Sequence, residues 1–168
     1  MRRWVFAVGP VVVAAGVGGV GARRAPQTYR RLRKPRWAPP AAVFGPVWSA
    51  LYAGIAVAGW RLPGRASRWA RSLHLAQLAL NTAWPIAFFA RGDKRAALVI
   101  IVLLDAATAA EVLAVRDEDR FAASLLLPYL GWSVFATALN AAVSDPGKQP
   151  DASRAVPSGG PRPPSPAG

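Results

Sequence analysis

Long runs of hydrophobic residues alternate along this chain with short segments rich in arginine and proline. A helix of about 20 apolar residues is long enough to cross the roughly 30 Å hydrocarbon core of a bilayer. The pattern therefore predicts an all-α membrane protein whose transmembrane domain, residues 1–143, is a five-helix bundle. The predicted spans cover residues 4–22, 40–60, 69–90, 95–115 and 121–143.

The two ends of the chain need separate interpretations. Residues 4–22 follow two arginines, so this run resembles the core of a signal peptide as well as a membrane span. We favour a retained span, because the run is longer than a typical signal core and no small-x-small cleavage site stands out before Arg23. Residues 144–168 are rich in Pro, Gly and Ser, a composition that cannot bury a core. We predict a disordered tail there.

The third predicted span carries a polar and aromatic stripe. Its members follow one another at spacings of three and four residues, which places them on one face of a helix: His74, Gln77, Asn81, Trp84 and Phe88. Lipid disfavours exposed polar side chains, so this face should point into the protein. Two interpretations stay open for the amides, which either hydrogen-bond neighbouring helices or form the wall of a pocket.

Two further spans have similar stripes. On the second span the stripe consists of Trp48, Leu51, Tyr52, Ile55 and Gly59, and on the fifth it consists of Tyr129, Trp132, Ala136, Leu139 and Asn140. Three helices that each turn aromatic and polar residues to one side predict an inner cavity. Such a cavity suits a flat, apolar, aromatic ligand with a polar edge.

Three ionisable residues lie within the predicted spans. Asp105 is central in the fourth span, where an ionised carboxylate costs about 3 kcal/mol, so it should be protonated, paired or turned inward. A functional role and a helix–helix hydrogen bond both remain open for it. Glu111 lies near enough to the end of its span to reach the headgroups. His74, near the start of the third span, is expected at the interface rather than as a haem ligand.

Composition and charge exclude several classes of function. The chain is 53% hydrophobic yet carries a formal charge of +13, as expected when basic residues collect in the loops of a membrane protein. We predict no nucleic-acid binding, because the arginines flank apolar runs rather than forming a recognition helix. The chain has no cysteine and one histidine, which excludes cysteine and multi-histidine metal sites, and we expect no metal.

The first loop, residues 23–39, is the longest connection between spans. Its basic residues are interleaved with Tyr29, Leu32 and Trp37. Either this loop folds back onto an apolar surface, or its aromatics and arginines anchor it at the headgroups. The larger share of basic loop residues lies on the side of the first loop and the tail. We therefore predict a bacterial cell-membrane protein with its N-terminus outside and its C-terminus in the cytoplasm.

Three blocks of residues resemble a known family. The first is Lys34-Pro35-x-Trp37-x-Pro39-Pro40 with Gly45-Pro46-Val47-Trp48-x-x-Leu51-Tyr52, the second is Gln77-Leu78-x-Leu80-Asn81-x-x-Trp84-Pro85-x-x-Phe88-Phe89, and the third is Pro128-Tyr129-x-x-Trp132-x-x-x-Ala136-x-x-Leu139-Asn140. In order and spacing these blocks resemble the TspO/translocator protein family, also called tryptophan-rich sensory proteins. The resemblance covers about residues 29–143.

The resemblance implies a fold and a function. It implies a five-helix bundle, commonly a homodimer in membrane lipid, with a ligand cavity closed by the first inter-helix loop. The implied function is a sensor or translocator that binds a porphyrin, either protoporphyrin IX or haem, and requires no cofactor. By motif position the ligand-binding residues are Tyr29, Trp37, Trp48, Asn81, Trp84, Phe88, Phe89, Trp132, Ala136 and Leu139.

Two alternatives accompany this expectation. Some bacterial members of the family are described as promoting light-dependent porphyrin breakdown, and the matching tryptophans here are Trp48 and Trp132. The other alternative is a membrane scaffold that binds a lipid or a sterol. The sterol pattern of animal relatives needs a tyrosine near the end of the last span, and residues 139–143 contain none.

Overall fold

The computed structural model describes residues 2–62 and 67–143, with side chains from residue 8 onward. Within these ranges the chain is mostly helical and contains no β-strand, which confirms the predicted all-α class. The helices are α1 (Arg2–Gly21), α2 (Ala25–Arg31), α3 (Ala41–Arg61), α4 (Arg68–Pro85), α5 (Lys94–Val115) and α6 (Arg120–Ala142), and a π-helical segment (Ile86–Ala90) directly follows α4. The tail predicted for residues 144–168 lies outside the described residues.

Polar side chains and prolines mark where the helices begin. Ser67, Asp93 and Asp119 precede α4, α5 and α6, and each accepts a hydrogen bond from the backbone N–H three residues later, at 3.1, 2.9 and 3.0 Å. These caps satisfy N–H groups that have no acceptor inside the helix. Pro40 precedes α3, and Pro26 lies in the first turn of α2, where a missing N–H costs nothing.

Three helices, α3, α5 and α6, are long and apolar enough to cross a membrane. Among the described residues α1 contributes a shorter apolar helix, Val8–Gly21. Helix α4 is less apolar than these, because Arg68, Arg71 and the polar stripe with Gln77 and Asn81 lie within it. Length and composition thus support three of the five predicted spans.

The five long helices pack into a closed ring. Contacts connect α1 to α3, α3 to α6, α6 to α5, α5 to α4, and α4 back to α1. Ile55, Leu126 and Tyr129 are fully buried inside this ring, whereas Val99 and Leu127 are more than half exposed on its outside. The exposed outer faces are apolar, as expected for side chains that face lipid.

Helix α3 also meets α4 across the interior of the ring, at Gly59. A Cβ atom at this position would lie only 2.5 Å from Nε2 of the buried His74. We predict that Gly59→Ala lowers the free energy of unfolding by about 1 to 3 kcal/mol, because His74 would have to move in a packed core. Denaturant unfolding in detergent micelles measures this change.

The matched control is Gly131→Ala on α6, where a Cβ atom meets no other atom within 4 Å. Removing a helical glycine there should stabilise the protein by up to about 1 kcal/mol. Equal stability of the Gly59→Ala variant and the unmodified protein would contradict the close approach of α3 to His74.

Candidate functional site

One end of the ring contains a cavity of about 540 Å³. It is enclosed by the end of α1, by α2, by the first half of α3, by the end of α4 with the π-helical segment, and by the end of α6. Its wall is mostly apolar and aromatic. This volume lies in the range of about 300 to 1,000 Å³ that is usual for small-molecule sites.

The π-helical segment brings two neighbouring phenylalanines to the cavity. Pro85 has no N–H to donate, so the regular hydrogen bonding of α4 is interrupted there. Beyond it the Arg91 N–H donates to the Ile86 carbonyl at 2.9 Å, a bond across five residues that is characteristic of a π turn. Phe88 and Phe89 both line the cavity, and their ring centroids are 4.8 Å apart in an edge-to-face arrangement.

The polar part of the cavity wall is centred on Asn81. Its Oδ1 accepts a hydrogen bond from the Tyr52 hydroxyl at 2.7 Å, and its Nδ2 donates to the Tyr129 hydroxyl at 3.0 Å. These two bonds connect α4 to α3 and α6. Asn81 therefore does both things that the sequence left open, since it hydrogen-bonds neighbouring helices and also lines the cavity.

Helix α2 covers one side of the cavity. Tyr29 is buried, its hydroxyl donates to the Pro39 carbonyl at 2.7 Å, and its ring contacts Phe44 edge-on at a centroid distance of 5.2 Å. Burial raises the pKa of Tyr29, so its hydroxyl stays protonated and remains a donor. Lys34 donates to the Tyr29 carbonyl at 2.6 Å and lies over the Tyr29 ring. The first loop thus folds back onto an apolar surface, one of the two arrangements expected for it.

Most of the residues predicted to bind ligand lie together in the cavity wall. These are Tyr29, Trp48, Asn81, Trp84, Phe88, Phe89, Ala136 and Leu139. Trp37 and Trp132 do not line it. Trp37 is 50% exposed and packs edge-on against Phe135, and Trp132 packs edge-on against Phe44, with a centroid distance of 5.7 Å between these two rings.

The cavity also contains residues outside the predicted ligand-binding set. Phe44 and Tyr52 line it, one turn before and one turn after Trp48 on the same face of α3. Tyr52 belongs to the stripe predicted to turn inward, whereas Phe44 was missed, although its spacing of four residues from Trp48 was a readable signal. Gly18 and Gly19 of α1 also line the cavity, whereas no residue of the first span was among the predicted ligand-binding residues.

The structure corrects the expectations for two ionisable residues. His74 and Glu111 were expected at the membrane interface, but both side chains are fully buried, with Nδ1 and Oε1 2.7 Å apart. The prediction was wrong because each residue finds its partner on a neighbouring helix, and the distance to a helix end does not show this. Asp105 accepts a hydrogen bond from the Thr137 hydroxyl at 2.7 Å, which is the helix–helix interaction left open for it.

Comparisons with a family model and with individual known proteins point to the same family. The family model described as TspO/MBR family matches residues 6–144. The chain belongs to this family. It is 41% identical to the human Translocator protein over 118 residues, covering 67% of this chain and 70% of the relative. It is 36% identical to the sheep Translocator protein over 147 residues, covering 82% of this chain and 87% of the relative. It is also 36% identical to a Tryptophan-rich sensory protein of Cereibacter sphaeroides over 113 residues, covering 67% of this chain and 72% of the relative.

Membership in the TspO/MBR family agrees with the resemblance seen in the three motif blocks. Members of this family are integral membrane proteins, and the apolar outer faces of the helices fit that location. The match includes every helix that contributes to the cavity.

Proposed function

We propose that this TspO/MBR family member binds a porphyrin in the cavity and acts as a membrane sensor or translocator for it. The aromatic wall of the cavity is the observation that carries this proposal. Trp48 of α3, Trp84 of α4 and Phe88 and Phe89 of the π-helical segment contribute rings, and Asn81 adds a polar group on the same wall. Flat rings with a polar edge, such as protoporphyrin IX or haem, match this combination by stacking and by a hydrogen bond.

Basic residues border the same cavity and suit the acidic groups of such a ligand. Ala22 and Ala25 line the cavity, and the exposed Arg23 and Arg24 lie between them in the chain. A guanidinium group matches the geometry of a carboxylate and forms charge-assisted hydrogen bonds with it. We propose that these arginines hold the propionate groups of the porphyrin at the opening.

We propose binding rather than porphyrin breakdown as the main activity. The breakdown hypothesis assigns roles to two tryptophans, and only Trp48 lines the cavity, whereas Trp132 contacts the ring of Phe44 and is not part of the cavity wall. We further propose that α1 and α4 cross the membrane with the other three long helices, with the C-terminus on the cytoplasmic side. Homodimerisation remains a prediction from the family resemblance.

Two glycines of α1 test whether the porphyrin occupies this cavity. A Cβ atom added at Gly19 or at Gly16 meets no other atom within 4 Å, but Gly19 lines the cavity and Gly16 does not. We predict that Gly19→Leu weakens protoporphyrin IX binding at least about tenfold, or about 1.4 kcal/mol, because the leucine occupies ligand space. Quenching of tryptophan fluorescence during a porphyrin titration gives the affinity.

Gly16→Leu is the matched control, because it adds the same side chain to the same helix outside the cavity, and its affinity should equal that of the unmodified protein. Equal weakening by both substitutions would show that the porphyrin does not occupy the cavity. Non-saturable quenching in the unmodified protein, together with saturable binding of cholesterol, would instead support the alternative of a sterol-binding scaffold.

A further inference from the structure

A second group of buried polar residues lies outside the cavity wall. His74 and Gln77 of α4 and Glu111 of α5 are each 0% exposed, and the His74–Glu111 contact is 2.7 Å. Removing an ion pair from water costs several kcal/mol for each ion. Ionisable residues that are retained inside a membrane domain at such a cost usually serve proton or ion pathways.

This group has hydrogen-bonding capacity that the described residues leave unused. Both amide atoms of Gln77 and Oε2 of Glu111 are buried, and none of these three atoms has a hydrogen-bond partner in the described part of the chain. Buried polar atoms of this kind are normally satisfied by internal water. The surroundings of the pair can therefore accept a water molecule or an additional proton.

A hydrogen-bonded chain leads from the cavity wall to the buried Tyr129. His74 and Asn81 lie on one face of α4, roughly 10 Å apart along the helix axis. Asn81 donates to the Tyr129 hydroxyl, and Tyr52, which lines the cavity, donates to Asn81. Tyr129 is fully buried and lies within electrostatic reach of Glu111 and, more weakly, of Asp105. Tyr129 is thus hydrogen-bonded to Asn81 and close enough to Glu111 to sense its charge.

We propose that the His74–Glu111 pair is a proton-binding site whose proton occupancy is linked to ligand in the cavity through Asn81 and Tyr129. This inference rests on the proposed function, since it needs a ligand in the cavity. When a ligand in the cavity accepts the hydrogen bond that Asn81 Nδ2 otherwise donates to Tyr129, the Tyr129 oxygen loses that donor. The Tyr129 hydroxyl then turns toward Glu111 and stabilises the carboxylate, and the pair releases one proton to water.

Other titratable groups on the surrounding helices do not take the place of the pair. At the end of α3, Arg61 is 2.7 Å from Asp119, the residue that precedes α6. On α5, Asp105 is hydrogen-bonded to Thr137, and on α4 Arg71 precedes His74 by one turn and is half-buried. The described side chains of α1, from residue 8 to residue 21, include no titratable group. Glu111 is therefore the carboxylate in direct contact with His74.

Calorimetric titration of the full chain in lipid nanodiscs tests the proton link. The probe is protoporphyrin IX dimethyl ester, whose ester carbonyls can accept the Asn81 hydrogen bond but which carries no ionisable carboxylate, and the titration is run in two buffers of different ionisation enthalpy. The difference in heat gives the number of protons released per porphyrin bound. We expect release of up to one proton in the unmodified protein. Glu111→Gln keeps an acceptor for His74 but cannot exchange a proton, so the release should be lost.

Two further variants keep the inference falsifiable if Glu111→Gln does not fold. Tyr129→Phe retains the pair and removes the connecting hydroxyl, so ligand-linked proton release should be lost there as well. Asp105→Asn removes a different carboxylate of α5 and should release protons like the unmodified protein. Binding without proton release in the unmodified protein, or release that persists in Glu111→Gln, would show that the pair is only a structural contact.

The same titration separates failure of this inference from failure of the proposed function. Binding heat and tryptophan quenching report whether a porphyrin binds, and the buffer comparison reports the proton. If no porphyrin binds, the proposed function is wrong, and the proton count is repeated with cholesterol as the probe. Proton release with cholesterol would then support the link, and its absence would overturn it.

Discussion

Replacing Trp48 with alanine should weaken protoporphyrin IX binding by about 30-fold, or about 2 kcal/mol, the loss typical of a tryptophan at the centre of a binding site. Trp48 lines the cavity, contacts Tyr52 at a ring distance of 5.5 Å and contacts the fully buried Tyr129 edge-on at 6.3 Å. These neighbours fix the orientation of the indole, so its face is available for stacking before the ligand arrives. Equilibrium titration of porphyrin absorbance measures the affinity without depending on the missing tryptophan.

Trp69→Ala is the control for this prediction, because Trp69 is 64% exposed on α4 and lies outside the cavity wall. The protoporphyrin IX affinity of Trp69→Ala should match that of the unmodified protein. Trp48→Phe should fall between the two, since a smaller ring still stacks. An affinity for Trp48→Ala within about twofold of the control would mean that the porphyrin does not stack on this indole.

Glu111→Ala is expected to lower the free energy of unfolding by about 3 to 5 kcal/mol, because it removes one partner of a fully buried pair. His74 would keep its buried ring and lose the hydrogen-bond partner 2.7 Å from Nδ1. Glu111→Gln should lose much less, since the amide can still hydrogen-bond the imidazole as acceptor or as donor. Unfolding by SDS in mixed micelles, monitored through the helix content, gives the free energy of unfolding of the unmodified protein and of the two variants.

Glu118→Ala is the corresponding control at an exposed carboxylate in the turn after α5, and it should change stability by no more than about 0.5 kcal/mol. If Glu111→Ala lowered the free energy of unfolding no more than Glu118→Ala does, the His74–Glu111 pair would contribute little to the packing of α4 against α5. This test uses no ligand, so it is independent of the proton link and of the proposed porphyrin binding.

The pattern of the sequence predicted most of the fold because each long helix carries its own signal. Apolar runs of the right length lie between charged segments, and the helix bounds agree with the predicted spans within a few residues. Helix α2 was not predicted, because a segment of seven residues is too short to show a periodicity. The π-helical segment after Pro85 was not predicted either, since it depends on backbone hydrogen bonds rather than on a residue pattern.

The candidate site was only partly predictable for a related reason. A stripe on one helix shows which face turns inward, so Trp48, Asn81 and Phe88 could be assigned to the interior. A stripe does not show how deeply a residue is buried or which residues of other helices it contacts. Trp132 lies on the predicted face of α6, yet its ring contacts Phe44 of α3 and does not line the cavity.

The sequence by itself determined the helical class, the family and the side of each helix that turns inward, because these follow from local spacing and from motifs within single segments. Only the tertiary structure decided that His74 meets Glu111, that Gly59 lets α3 approach His74, and that Asn81 connects Tyr52 to Tyr129. Each of these contacts joins residues far apart in the chain. Their formation depends on the rotation and depth of whole helices, which packing sets only when all five are together.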